Sequence, residues 1–168
     1  ADRKLVGIVM AVLCSSLAAG RITRSHEGHE GSQPAMGAIH PRLSGAGDAI
    51  AFSCQGAIWR MPRSGGPMVR LTVDEGFDIE PAWSPDGQTI VFEKGTGGYL
   101  RSQLRSGDPG VYRVAASGGA ISKITDNGSY PQFGAGNDRI FVTRSAKEAG
   151  ELVSVDLNGE AERMHATG

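Results

Sequence analysis

Apolar residues along this chain come in short clusters of three or four, separated by Gly, Pro, Asp and Asn, and the clusters recur in a fixed order. Pro41, Pro81 and Pro131 open each round, and Leu43, Trp83 and Phe133 stand two positions later. Nine positions after each proline comes Ile50, Ile90 or Ile140. Each isoleucine begins an apolar triplet: Ile50-Ala51-Phe52, Ile90-Val91-Phe92 and Ile140-Phe141-Val142. The gap between is filled by Gly45-Ala46-Gly47-Asp48, by Ser84-Pro85-Asp86-Gly87, and by Gly136-Asn137-Asp138. Pro presets φ for a turn, while Gly and Asn tolerate positive φ, so all three gaps carry turn chemistry.

A second apolar cluster follows in each round: Ile58–Met61, Val111–Val114 and Leu152–Val155. Each runs into a Gly turn, Ser64-Gly65-Gly66, Ser117-Gly118-Gly119 or Leu157-Asn158-Gly159, and then a closing stretch, Val69–Thr72, Ser122–Thr125 or Glu162–His165. Clusters this short, punctuated this often, predict strands rather than helices. The proline spacings are 81 − 41 = 40 and 131 − 81 = 50, the second round being lengthened by an insert near Gly95–Pro109. A period of about 40–45 residues with about four short strands is the signature of a β-propeller blade. The expected fold is therefore all-β, a partial propeller of about three four-stranded blades at 40–80, 81–130 and 131–168. Propellers have roughly 4–8 blades. Three blades do not close a ring, so the sequence is expected to be a segment of a six- or seven-bladed parent, or an open array that closes by association.

The first residues follow a different pattern. Arg3 and Lys4 precede the uncharged run Leu5–Leu13, and Ser16 and Ala18 take the −3 and −1 places before a cleavage after Ala18. This describes a secretory signal peptide over 1–18, too short to span a bilayer as a helix. Residues 19–39 read as a flexible linker, and His26-Glu27-Gly28-His29-Glu30 within it as solvated chain rather than a metal site. Export would remove Cys14 and leave Cys54, a small buried hydrophobe with no disulfide to make. The expected location is periplasmic or secreted.

Composition adds little chemistry. Lys plus Arg is 17 and Asp plus Glu is 18 in 168 residues, for a net charge of −1. That balance argues against a nucleic-acid partner. Gly is abundant, 25 residues, in keeping with a turn-dense chain. The sequence has no G-x-S-x-G elbow, no His-x-His pair and no phosphate-binding Gly loop followed by Lys. No catalytic, metal or cofactor residue is assigned, and no cofactor is expected. Asp86 is expected to bond its own turn. Leu43, Trp83 and Phe133 are expected to be anchors packed between blades. Tyr99, Arg101 and Arg105 in the insert form the candidate partner loop.

The stretch Pro81-Ala82-Trp83-Ser84-Pro85-Asp86-Gly87-Gln88-Thr89-Ile90-Val91-Phe92 resembles the WD40-like (PD40) repeat of TolB-type propellers, P-x-W-S-P-D-G-x-x-I-x-F. The first and third rounds are degenerate, lacking the Trp and the Pro-Asp-Gly. Gly97–Ser102, Asp108–Tyr112, Pro131–Gly134 and Leu152–Gly159 also resemble exported proteins that carry such a propeller ahead of an amidohydrolase domain. The resemblance implies a non-catalytic binding or scaffolding module that contacts a protein partner. The alternative it implies is the propeller segment of an exported metal-dependent amidohydrolase, contacting a covalently attached catalytic domain that lies outside this sequence.

Overall fold

The computed structural model describes residues 37–73, 77–95, 108–145 and 149–168. The expected signal peptide and His26–Glu30 lie outside the described residues, as do Tyr99, Arg101 and Arg105. Ile39, assigned to the linker by sequence, opens the first strand instead. Among the described residues no helix is long and apolar enough to cross a membrane.

Twelve strands form three separate four-stranded antiparallel sheets among the described residues. The first blade is β1 (Ile39–Leu43), β2 (Ala49–Cys54), β3 (Ala57–Pro62) and β4 (Val69–Arg70). The second is β5 (Asp78–Trp83), β6 (Thr89–Lys94), β7 (Gly110–Ala115) and β8 (Ser122–Thr125). The third is β9 (Ser129–Phe133), β10 (Arg139–Ser145), β11 (Gly150–Asp156) and β12 (Arg163–Thr167). In each blade, neighbours in the sheet are neighbours in the chain. The prolines that mark the repeat lie inside β1, β5 and β9, so the anchor segment is itself the first strand.

The central hairpins are in unbroken register, from Ala49↔Pro62 to Cys54↔Ala57, from Thr89↔Ala115 to Lys94↔Gly110, and from Arg139↔Asp156 to Ser145↔Gly150. Gln55 and Gly56 both have positive φ, 51° and 76°, the two-residue turn whose twist matches a hairpin. The second blade has the longer segment in the corresponding place, between Lys94 and Gly110.

Two apolar cores hold the three sheets together. Ala51, Ile58 and Leu71 of the first blade meet Ile90, Phe92, Tyr112 and Val114 of the second. Ala82, Val91, Val111 and Ile124 of the second meet Ile140, Val142, Val153 and Val155 of the third. Alternation along β6 explains how one strand serves both: Ile90 and Phe92 face one way, Val91 the other. The first strands converge at one edge of the stack. β5 packs on β1, β2 and β3 of the blade before it, and β9 packs on β5, β6 and β7. The fourth strands lie at the opposite, solvated edge, where β4 and β12 are exposed throughout.

Candidate functional site

The three first strands share an irregularity. Ladder register breaks between Ile39 and Arg42 in β1, between Ile79 and Ala82 in β5, and along β9 where it pairs with β10 between Phe141 and Thr143. At each break the residue before the proline has a left-handed backbone: His40 at φ 53°, Glu80 at 52° and Tyr130 at 53°. A β-bulge of this kind re-aims a side chain. Left-handed backbone favours Gly and Asn, yet these positions carry His, Glu and Tyr.

The bulges bring charged groups together where the first strands meet. Glu80 accepts from both sides: His40 Nε2 lies 3.1 Å from Oε1 and Arg42 Nη2 lies 3.2 Å from Oε2. The Glu80 side chain is only 10% exposed, whereas those of His40 and Arg42 are 33% and 41% exposed. The acid therefore sits beneath and the two bases stand above it. Arg42 also donates from Nη1 to the Pro41 carbonyl at 3.4 Å, and its own carbonyl accepts from Trp83 Nε1 at 3.0 Å. Nδ1 of His40 is buried with no hydrogen-bond partner. At the next joint the Tyr130 amide donates to Glu93 Oε2 at 3.3 Å, and the Tyr130 ring is largely exposed.

A second polar group lies deeper in the first joint. Asp78 is fully buried, its amide donating to the Gly56 carbonyl and its carbonyl accepting from Ser53 Oγ. Burial pushes its carboxyl up to about 6, with Thr72 and Arg70 pulling the other way. Lys94 Nζ lies 3.9 Å from Asp78 Oδ1, and burial pushes the amine down. Burial is the leading cause of both shifts. A cavity of about 310 Å³ next to Asp78 is lined by Ile39, Cys54, Gln55 and Phe77 among others.

The repeat-motif residues fall into two groups. Ser84, Pro85, Asp86 and Gly87 make the turn between β5 and β6. Ser84 Oγ donates to Asp86 Oδ1 at 2.6 Å and accepts from the Thr89 amide, while Asp86 Oδ1 also accepts from the Gln88 amide. The Ser84 hydroxyl holds the Asp86 carboxyl below the usual range. Ser44 and Asp48 repeat this in the first blade, and Ser44 lowers Asp48 in the same way. Asp86 thus bonds within its own turn, while its amide donates to Asn137 Oδ1 of the third blade.

Ile90, Phe92 and Ile140 are fully buried core residues, whereas Ile50 is half-buried. Pro81 and Pro131 are buried and Pro41 is exposed. Trp83 and Phe133 pack against the first and second core respectively. Leu43 departs from the expected anchor role: it is 54% exposed, because β1 faces no earlier sheet among the described residues.

The His40–Glu80–Arg42 group was absent from the sequence expectations. His40 and Glu80 are far apart in sequence, and the residue before a proline ordinarily reads as extended chain. The available signal was positional: both residues directly precede the repeat proline.

A family model described as the TolB beta propeller domain matches residues 18–168. The chain belongs to this family. Its TolB-type propeller fold is also seen in solved structures. A putative TolB from Agrobacterium tumefaciens is 21% identical with a TM-score of 0.63, over 79% of this chain and 49% of that one. TolB from Acinetobacter baumannii is 19% identical with a TM-score of 0.61, over 76% and 31%. An oligogalacturonate lyase from Vibrio parahaemolyticus is 13% identical with a TM-score of 0.58, over 74% and 39%. At these identities the likeness is one of fold. This TolB-type chain spans half or less of the length of each of these proteins.

Proposed function

We propose that this chain is a non-catalytic binding and scaffolding module of an exported protein, working in the periplasm or outside the cell. The observation that carries this reading is the architecture. Three sheets are held together by two apolar cores, while β1, β4 and β12 keep exposed residues. Rigid scaffolds of this kind present loops and edges to partners. Membership of the TolB propeller family supports the same reading. Its contacts are with a protein partner or an attached domain. Residues 1–18 act as the signal peptide and 19–38 as the tether. Tyr99, Arg101 and Arg105 form a partner-contacting loop, carried between the ends of β6 and β7.

In-cell photo-crosslinking tests this. A photoreactive side chain in place of Tyr99 is expected to trap one discrete partner or an attached domain, and one in place of Met164 on the exposed β12 is not. Equal, diffuse adducts from both positions would remove the binding-module reading. Amino-terminal sequencing of the exported protein checks the cleavage after Ala18.

A second reading rests on the incomplete coverage of the neighbours, some of which are named as enzymes. In it, the chain is the propeller segment of a larger exported metal-dependent amidohydrolase and positions its catalytic domain. A reading frame continuing into a domain with a His-x-His metal motif would establish it.

A further inference from the structure

We propose that the first-strand edge around His40 and Arg42 is a binding site for a carboxylate group carried by a partner peptide. The proposal deepens the binding-module reading and rests on it. Three observations converge there. The first is the repeated left-handed residue before each proline. Backbone of this kind is unfavourable for a residue with a Cβ, and Gly adopts it freely. His40, Glu80 and Tyr130 instead place three functional side chains at equivalent positions of three blades.

The second is the layering of charge. The Glu80 carboxylate is nine-tenths buried and engaged on both oxygens, so solvent meets the Arg42 guanidinium and the His40 ring. An incoming anion thus faces donors, with the resident acid below them. Asp78 on the same strand as Glu80 and Glu93 on β6 are also buried, the latter accepting from the Tyr130 amide. The third is incomplete satisfaction. Arg42 spends one N–H on Glu80 and one on the Pro41 carbonyl out of the five it carries. The His40 ring is a third exposed, with Nε2 engaged by Glu80 and Nδ1 buried, so it lines the site rather than donating to a guest. Glu80 already shows how a carboxylate is held here, between an imidazole and a guanidinium. A guest carboxylate would use the outward N–H groups of Arg42, beside the His40 ring.

The test is an NMR titration of the full 168-residue chain with three capped probes. These are blocked tetraglutamate, tetraglycine with a free carboxyl terminus, and blocked tetralysine. Saturable shifts at His40 and Arg42 are expected with tetraglutamate, with tetraglycine or with both. The first alone identifies acidic side chains as the ligand, and the second alone identifies a chain terminus. Loss of a charge-assisted hydrogen bond in Arg42→Gln is expected to weaken binding about tenfold. The control Arg163→Gln, on the exposed β12, is expected to change it less than twofold (about 0.4 kcal/mol). Glu80→Gln removes the resident competitor and is expected to tighten binding severalfold, an outcome that damage to the fold would not produce.

The proposal is overturned if no probe gives saturable shifts at these residues, if tetralysine shifts them as strongly, or if Arg42→Gln and Arg163→Gln weaken binding alike. It is also overturned if Glu80→Gln leaves the affinity of a folded protein unchanged. A partner captured through Tyr99 while the first-strand edge stays inert would end this proposal and leave the binding-module reading standing.

Discussion

The carboxyl of Asp78 shows what burial does to a single residue. Its value of about 6 when folded stands above 3.8 when unfolded, so the folded state holds the proton more tightly. Stability from this group is fully present below about pH 4 and is lost as pH rises through 6. The loss is on the order of 1–3 kcal/mol. Asp78→Asn keeps the neutral shape. Denaturant unfolding between pH 4 and 7 is expected to show the wild type losing stability relative to this variant; parallel pH profiles would refute the assignment. Lys94 shifts the opposite way, pushed down by burial. Ser84 offers a second residue-scale test. Removing its hydroxyl in Ser84→Ala is expected to return the Asp86 carboxyl toward its ordinary range, as read by carbon NMR titration, and to cost about 1 kcal/mol.

Elements meet through backbone as well as side chains, and the Gly turns at the ends of the third strands make this visible. A Cβ on Gly159 would fall on the Ile124 carbonyl oxygen of the neighbouring blade, while Gly65 faces open space. Both have positive φ, 81° and 86°. Gly65→Ala is expected to cost about 1 kcal/mol in backbone strain. Gly159→Ala adds a steric clash and is expected to cost about 2–3 kcal/mol more. Calorimetry on both variants separates the two terms, and equal losses would deny that the third turn is wedged between blades. Most of this scale was readable beforehand. Turn chemistry is local, so Pro85-Asp86-Gly87 and the apolar triplets announce strands wherever they stand. The first strand was harder, because Pro41, Pro81 and Pro131 lack an amide hydrogen for the ladder and mask the strand that contains them. The charged group around Glu80 was marked only by position, since His40 and Glu80 each precede a repeat proline; a left-handed residue there has no signature in composition. The exposure of Leu43 was equally hidden, since equivalence of position carries no information about which blade lacks a neighbour.

Across the whole molecule the middle blade is the common support, contributing one face to each core. Phe92 is fully buried in the first core and Val142 in the second. Phe92→Ala is expected to cost about 3–5 kcal/mol. Stacked repeats are stabilised through their neighbours, so loosening the middle blade withdraws support from both sides. Native-state hydrogen exchange is expected to show faster exchange in all three blades for Phe92→Ala, and chiefly in β9–β12 for Val142→Ala. Uniform acceleration in both variants would mean the three blades open as one unit. The left-handed slot before each proline carries a separate consequence for how such a molecule can change. Its side chain projects from the bulge, outside the two apolar cores that hold the sheets together. The two outer blades therefore display His and Tyr at this slot, while Glu80 of the middle blade stays buried beneath its partners. A new display needs new outer residues but no new architecture.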